Sequence, residues 1–386
     1  MVRVKKQSKR SVLRFVAIGI SALAAIWLLL MKIFTAKDQD VLDLSPSFAS
    51  NSSGATSINR SNGNGQFKSS SANTSETLKI DENCLSLPMI QPAGSFFFDD
   101  KIKKVKSHPE ITPPFHVGSY LGDKVSYHMT ADLVHFKLLN EHLKDKQGGL
   151  TFDMGANQGF FTYFLAALGM EVHSFEISDG NFRAMQHGAF FNPIDFAKNV
   201  NLYPVGLGQK TARFSMRGHD YTGFMKSSGG EGLGNGEILG VTFDCFAYHS
   251  QMDLSHVAFV KLDVEGFEIA VLKGAQNSLF AKGSKNVGSM LMEVGPDRWH
   301  RASVKLEDGT AEMVKLSSHF ENTYLILRKE GTHAKTCPTS LAKHLKDQNP
   351  KDMGAAFLHK ISWNELEPLL EDMSKNGLDC NFWYTN

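Results

Sequence analysis

The residues with the most chemistry in them fall between Leu150 and Thr162, in the run Leu-Thr-Phe-Asp-Met-Gly-Ala-Asn-Gln-Gly-Phe-Phe-Thr. An apolar run ends on a carboxylate, Asp153. A turn carrying Gly155, Asn157 and Gly159 follows, then an apolar segment from Phe160 to about Leu168 that Gly169 stops. Strand, tight loop and helix in that order make the first half of a βαβ unit. Open α/β sheets bind ligands at such a loop, at the carboxyl end of a parallel strand. Gly155 and Gly159 let the backbone turn sharply and approach a ligand closely. Asp153 offers a carboxylate to a cationic or hydroxylated ligand. The spacing is not that of the dinucleotide fingerprint, because Asn157 stands where its second glycine would be. An acid followed by Gly-x-Asn-x-Gly suits a ligand without phosphates, such as S-adenosylmethionine. An ordinary strand-to-helix turn is the alternative.

Other acids recur at strand ends. Met170–Glu176 alternates and ends on Glu176, roughly 20 residues past the loop, where nucleotide-binding α/β folds place a carboxylate on ribose hydroxyls. Glu176 could instead cap the helix that follows, although Ser178 and Asp179 would serve as well. The apolar run from His256 ends on Asp263, two residues before Glu265, and Val287–Glu293 ends on Glu293. Three buried strands ending on Asp153, Asp263 and Glu293 are hard to explain by stability alone, since acids are rarely left unpaired near a core. A carboxylate or histidine can take a proton from a reacting hydroxyl. Asp263 is the first candidate base, with a purely structural role as the competing reading, and His219 in Arg217-Gly-His-Asp220 is a weaker one. Chemistry of this kind requires no metal, though Asp244, Asp263 and Glu293 could hold a cation if they converge.

These groups need elements to position them. Helical spacing covers 132–143, and strands are expected at 171–176, 200–205, 211–216, 256–263 and 287–293. Helices are expected at 181–190 and 267–279. Five glycines between Ser227 and Gly236 mark a loop that is either a substrate lid or a solvated connection.

In order and spacing, Asp153-Met-Gly-Ala-Asn-Gln-Gly159, Glu176, Leu202–Gly208, Phe243-Asp244, Lys261-Leu-Asp-Val-Glu-Gly-Phe-Glu268, Val271–Ala275 and Glu293 resemble the FkbM family of methyltransferases. The resemblance covers about 150–293, and the Lys261–Glu268 block is its most specific part. It implies a class I, Rossmann-like α/β open sheet that uses S-adenosylmethionine to methylate hydroxyl groups. Carried over by position, it implies that Asp153, Gly155, Asn157 and Gly159 form the cofactor loop and that Glu176 holds the ribose. Asp244 joins that cofactor-binding set, and Asp263 and Glu265 sit at the reaction end.

The rest of the chain sets where this chemistry would operate. Basic residues from Arg3 to Arg14 precede a mostly apolar stretch, 15–34, about long enough to cross a bilayer. The positive flank places the amino terminus in the cytoplasm and the body beyond the membrane; a cleaved signal peptide is the alternative. Residues 35–94 are expected to be a flexible stem, largely small and polar, with sequons at Asn51, Asn59 and Asn73. The catalytic domain is then 95–386. With 386 residues, 42% of them hydrophobic, and net charge +1, bulk charge does not point to nucleic acid. Cys84, Cys245, Cys337 and Cys380 have no Cys-x-x-Cys spacing, which argues against zinc. Cys337 with Cys380 is the favoured bridge, and Cys245 is expected to be a buried thiol. The resulting expectation is a single-pass type II protein of the Golgi or another secretory-pathway membrane, methylating a glycan or other hydroxyl-bearing acceptor. A lumenal glycosyltransferase, and a binding domain that keeps the fold without catalysis, are the alternatives.

Overall fold

Strand β1 (Leu150–Met154) is the sheet's reference, and helix α1 (Phe160–Ala167) packs back on it. Strand β2 (Glu171–Phe175), helix α2 (Asp179–Gly188) and strand β3 (Val200–Tyr203) continue the alternation. Ser178 caps α2, its hydroxyl accepting from the Asn181 amide. Helix α3 (Phe243–Ser250) leads to β4 (Val257–Leu262), and α4 (Glu268–Gly274) leads to β5 (Ser289–Val294). Strands β4 and β5 read as near-continuous apolar runs because helices cover both faces of a parallel sheet. These coordinates are a computed structural model that describes residues 78–94, 97–122, 129–130, 132–217, 224–227, 238–329 and 335–386, with a short strand at Gln66–Phe67.

The carboxyl-terminal third adds α5 (Leu306–Ser317), β6 (Asn322–Arg328), β7 (Lys351–Asp352), β8 (Ala356–Ile361), α6 (Trp363–Asn376) and β9 (Cys380–Thr385). The main sheet has nine strands in the order β7-β8-β6-β9-β5-β4-β1-β2-β3. From β3 to β5 neighbouring strands run parallel. Strand β9 is antiparallel to both β5 and β6, so β6 again runs parallel to β5. The last strand of the chain is thus inserted inside the sheet. The chain order reverses between β1 and β4, which opens the ligand crevice at their carboxyl ends.

Three element ends differ from expectation, each for a tertiary reason. The run expected at 200–205 stops at Tyr203, and Gly206–Leu207 leaves to pair with Ile238–Val241 in a separate four-stranded sheet. Helix α4 ends at Gly274 rather than near Leu279, where the chain is pressed so close to Gly208 that a Cβ on Gly274 would lie 2.1 Å from its carbonyl oxygen. Helix α2 ends at Gly188, packed against the Tyr163 ring.

Buried side chains form a large cluster on each face of the sheet. Met290 and Met292 of β5 belong to one cluster and the intervening Leu291 to the other, as strand alternation requires. Cys337 is bonded to Cys380, as favoured. Cys245 is not a thiol: it is bonded to Cys84, 161 residues away in sequence. The stem boundary at residue 94 is corrected by the same contact. Cys84 is fully buried, Asp81 accepts from the Thr211 amide at 3.1 Å, Asn83 donates to the Thr211 carbonyl at 2.9 Å, and Ala93 bridges Leu202. Residues 80–94 therefore pack on the folded body. Residues 1–34, the three sequons, His219 and most of the glycine-rich loop lie outside the described residues. Among the described residues no helix is long and apolar enough to cross a membrane.

Candidate active site

The crevice at the carboxyl ends of β1, β2 and β4 is a cleft with about 610 Å³ of free space including its mouth, lined by Gly155, Asn157, Glu176, Asp263 and Glu265 among others. The β1–α1 loop forms one wall. Gly155 has φ +82°, and a Cβ there would lie 1.8 Å from the Asp263 carbonyl oxygen, so this position tolerates only glycine. The amides of Gly155 and Ala156 both donate to the Phe175 carbonyl, at 3.0 and 2.9 Å, which draws the loop over the end of β2. Asn157 also sits in the left-handed region at φ 52°. Its amide donates to Glu176 Oε2 at 2.7 Å, while the Ser178 amide donates to Oε1 at 2.7 Å. Burial pushes the Glu176 carboxyl up to about 7, against the pull of those two amides. Gly159, with φ 85°, is the N-cap of α1.

Beneath the loop the geometry departs from expectation. Asp153 is 0% exposed and lies outside the cleft lining. The Thr162 hydroxyl donates to its Oδ2 at 2.7 Å, and Lys261 Nζ stands 3.7 Å from its Oδ1. Asp153 thus holds the loop from below rather than contacting the cleft. Burial pushes its carboxyl up, opposed by Lys261 and Thr162. Lys261, 5% exposed, also donates to the Gly155 carbonyl at 2.7 Å and lies 3.3 Å from Asp263 Oδ2. Burial works against its charge, but the Asp263 and Asp153 carboxylates outweigh that and hold the ammonium above its ordinary range. One buried cation therefore ties the loop carbonyl to the candidate base.

A second cation does the same at the next strand ends. Arg298 reaches Glu265 at 2.7 Å, Glu293 at 2.8 Å and Asp379 at 2.7 Å, joining the turn after β4, the end of β5 and the start of β9. Burial, together with Asp263 nearby, raises the Glu293 carboxyl well above its usual value. Glu265 has φ 56° and Gly266 φ 99°, a turn that Glu268 closes by accepting from the Val264 and Gly266 amides at 3.2 and 2.9 Å. Glu268 is 1% exposed, and burial pushes it up to about 7.

Asp263 also borders a second cavity, with about 670 Å³ of free space including its mouth, whose walls include Lys261 and Glu293 together with Arg328, Asp379 and Asn381. At its far end Arg328 lies 3.2 Å from His135 Nε2, and His135 Nδ1 lies 3.2 Å from Asp132. A guanidinium only donates, so Nε2 accepts and the Nδ1 proton faces Asp132.

The structure thus gathers Gly155, Asn157, Glu176, Asp263 and Glu265 around one cleft. It does not bring Asp244 there. Asp244 lies in the first turn of α3, and its oxygens accept from the Asn277 amide and side chain (2.8 Å for the latter) and from the Ser278 hydroxyl at 2.6 Å. Asp263 and Glu293 share the second cavity without it. Sequence reasoning gave no role to Lys261, Arg298, Arg328 or Asp379. Two signals pointed to them: a lysine inside an apolar strand, and three strand-end acids that need a buried cation nearby.

The cleft fits S-adenosylmethionine: a glycine loop with no room for a Cβ and a buried carboxylate at the end of β2 are donor-set features of a nucleoside site without phosphates. Residues 153–319 match the family model of the methyltransferase FkbM domain. Among solved structures, an S-adenosylmethionine-dependent methyltransferase from Neisseria gonorrhoeae is 16% identical with a TM-score of 0.25, over 44% of this chain and 60% of that one. A TehB-like S-adenosylmethionine-dependent methyltransferase from Corynebacterium glutamicum is 12% identical with a TM-score of 0.24, over 61% of this chain and 96% of that one. Comparison with curated proteins gives no match. Residues 153–319 therefore match a methyltransferase domain of the FkbM family, whose cofactor is S-adenosylmethionine.

Proposed function

We propose that the protein is an O-methyltransferase that acts on a glycan hydroxyl in the secretory pathway. The observation that carries the methyl-transfer chemistry is the position of Asp263, whose side chain borders both the cofactor cleft and a second polar cavity. A proton acceptor in that place stands between donor and acceptor compartments. Bound S-adenosylmethionine supplies an already activated methyl group. The chain has to align the partners and remove one proton, and alignment alone accounts for much of the acceleration in such reactions.

Each residue then has a task. Glu176 and the loop from Gly155 to Gly159 hold the cofactor's nucleoside end. The Asp263 carboxylate takes the hydroxyl proton as the methyl ether forms. Lys261 fixes Asp263 relative to the Gly155 carbonyl, and Arg298 fixes Glu265 at the cleft rim. Incubating the purified protein with methyl-labelled S-adenosylmethionine and a glycan panel tests the reading: label in an alkali-stable methyl ether is expected, and label only in amines or carboxyl esters overturns it.

The location rests on the basic flank before 15–34 and the sequons at Asn51, Asn59 and Asn73. Glycosidase treatment of the protein expressed in a eukaryotic cell should increase its gel mobility. An unchanged mobility, with digestion of the catalytic part by protease added outside sealed microsomes, overturns the orientation.

A further inference from the structure

We propose that a surface outside the cleft binds a glycan chain that carries acidic groups. It is formed by the carboxyl-terminal end of α2 and by the hairpin that packs there, Lys103–Lys106 with His116–Ser119. The rings of Phe98 and Phe190 stack on sugars and the hairpin lysines hold the anions. The role of this surface, holding the acceptor chain, rests on the glycan methyl-transfer reading of the cleft; the binding itself does not.

The apolar part is held in a fixed frame. Phe98 is 76% exposed and Phe190 50%. Their ring centres lie 5.6 and 5.7 Å from that of the buried His187. The Asp99 amide donates to His187 Nδ1 at 3.1 Å. The Asn192 side chain accepts from the His116 amide at 2.9 Å and donates to the His116 and Gly188 carbonyls at 2.7 and 3.0 Å. Three segments distant in sequence are thus locked together, and together they present two rings to water. Exposed apolar surface rimmed by polar groups marks a binding surface. A sugar ring offers a face of C–H groups that matches the negative face of an aromatic ring.

Charge supplies the class. Strand alternation puts Lys104 and Lys106 on one face of the hairpin, and Lys104 Nζ lies 5.6 Å from the centre of the Phe191 ring. Among the described residues no carboxylate pairs with Lys103, Lys104 or Lys106. Burial, and then Lys104 and Lys106, push His116 below its usual range, the mark of a positive field left without a counter-charge. Asp99 and Asp100 precede the strand, and even against them Lys101, Lys103, Lys104 and Lys106 leave a positive excess. Those carboxylates, with Asp195 beyond the rings, disfavour an anionic bilayer, which would press on them as well as on the lysines. A chain molecule lies between them.

Position gives the surface its role. Asn181 in the first turn of α2 lines the cofactor cleft, and Gly188 ends the helix at the platform. At 1.5 Å per residue the two are about 10 Å apart along the axis. Between them Arg183 lies over the Phe97 ring at 5.4 Å. A chain held on the rings reaches the mouth of the cleft within a few sugar units.

Calorimetry on the full-length protein in neutral detergent micelles tests the surface without turnover. The probes are an oligogalacturonate, a sulfated galactan oligomer and a neutral maltooligosaccharide of similar length. The acidic oligomers are expected to bind, more weakly as salt rises, and the neutral one roughly tenfold less tightly or worse. Lys104→Gln combined with Lys106→Gln should weaken acidic binding roughly tenfold, and Phe190→Ala roughly threefold or more, with S-adenosylhomocysteine affinity unchanged in both. Phe98→Ala repeats the ring test if Phe190→Ala folds poorly, with a loss in the same direction. No binding of either acidic oligomer overturns the proposal. So does dependence on the lysines without dependence on the rings, which is unspecific polyelectrolyte binding. Loss of oligomer binding when phosphatidylserine is added to the micelles overturns it too, and makes the face a lipid surface. Binding of acidic oligomers with no methyl ether formed on any of them supports the surface and defeats its acceptor role instead.

Discussion

At the scale of single residues, three side chains make distinct demands. If Asp263 is the base, Asp263→Asn keeps the shape and removes the proton acceptor. Turnover should then fall on the order of 10²–10⁴-fold while S-adenosylmethionine still binds; equal losses of both in calorimetry and single-turnover assays would move Asp263 to cofactor holding. Glu176→Ala removes the acceptor for the Asn157 and Ser178 amides at the cleft wall. Hydrogen bonds to charged groups are worth about 1.5–3 kcal/mol, so cofactor affinity should drop roughly tenfold or more; titration calorimetry on the variant checks it. Lys261→Met leaves the buried Asp153 without its cation, and breaking such a pair costs about 3–5 kcal/mol. Chemical denaturation should show that loss, and a variant as stable as the wild type would mean that Asp153 is neutral in the fold. The strand-end acids were legible in sequence because they interrupt apolar runs. Of the two cations that neutralise them, Lys261 stands out as a charge inside an apolar strand, whereas Arg298 acquires its partners only when the strand ends converge.

At the scale of elements, the β1–α1 loop couples shape to site. A methyl group on Gly155 would meet the Asp263 carbonyl at 1.8 Å, and φ +82° is itself unfavourable for any other residue. Gly155→Ala should therefore lower stability by at least about 2 kcal/mol and weaken S-adenosylmethionine binding as the loop lifts. A variant with normal melting temperature and affinity would show that the loop yields cheaply. The strand and helix types around this loop were readable because each rests on local periodicity and glycine punctuation. Their ends were less so: α4 stops at Gly274 because of Gly208, which belongs to another part of the chain.

At the scale of the molecule, burial sets the pH response. Glu176 and Glu268 are both pushed from 4.5 up to about 7 in the folded protein. The folded state therefore keeps these protons to higher pH than the unfolded chain does. Their contribution to stability is full below the ordinary glutamate range and is lost as pH rises toward 7, at about 1.4 kcal/mol per pH unit for each group. Glu268→Gln cannot titrate, so the wild type should lose stability relative to this variant between about pH 5 and about pH 8. Denaturation at the two pH values measures it, and a constant difference would show that Glu268 ionises normally. The bridges act at the same scale. Replacing Cys337 and Cys380 by alanine opens a loop of 43 residues and should cost about 2–4 kcal/mol, read from the urea midpoint under non-reducing conditions.

The local pattern of the chain was enough to determine the βαβ order, the glycine turn between β1 and α1, the acids at the ends of β2, β4 and β5, and one of the two disulfides. Those features depend on neighbours a few residues apart or on a motif carried whole in one stretch. Tertiary structure alone decided that Asp153 supports the loop from beneath, that Asp244 belongs to a structural cluster, and that Cys245 pairs with Cys84. It also decided that β9 enters between β5 and β6, bringing Asp379 and Asn381 to Asp263. The physical reason is common to all of these. Burial and pairing depend on which distant segments fill the space around a side chain, and periodicity along the chain carries no information about that.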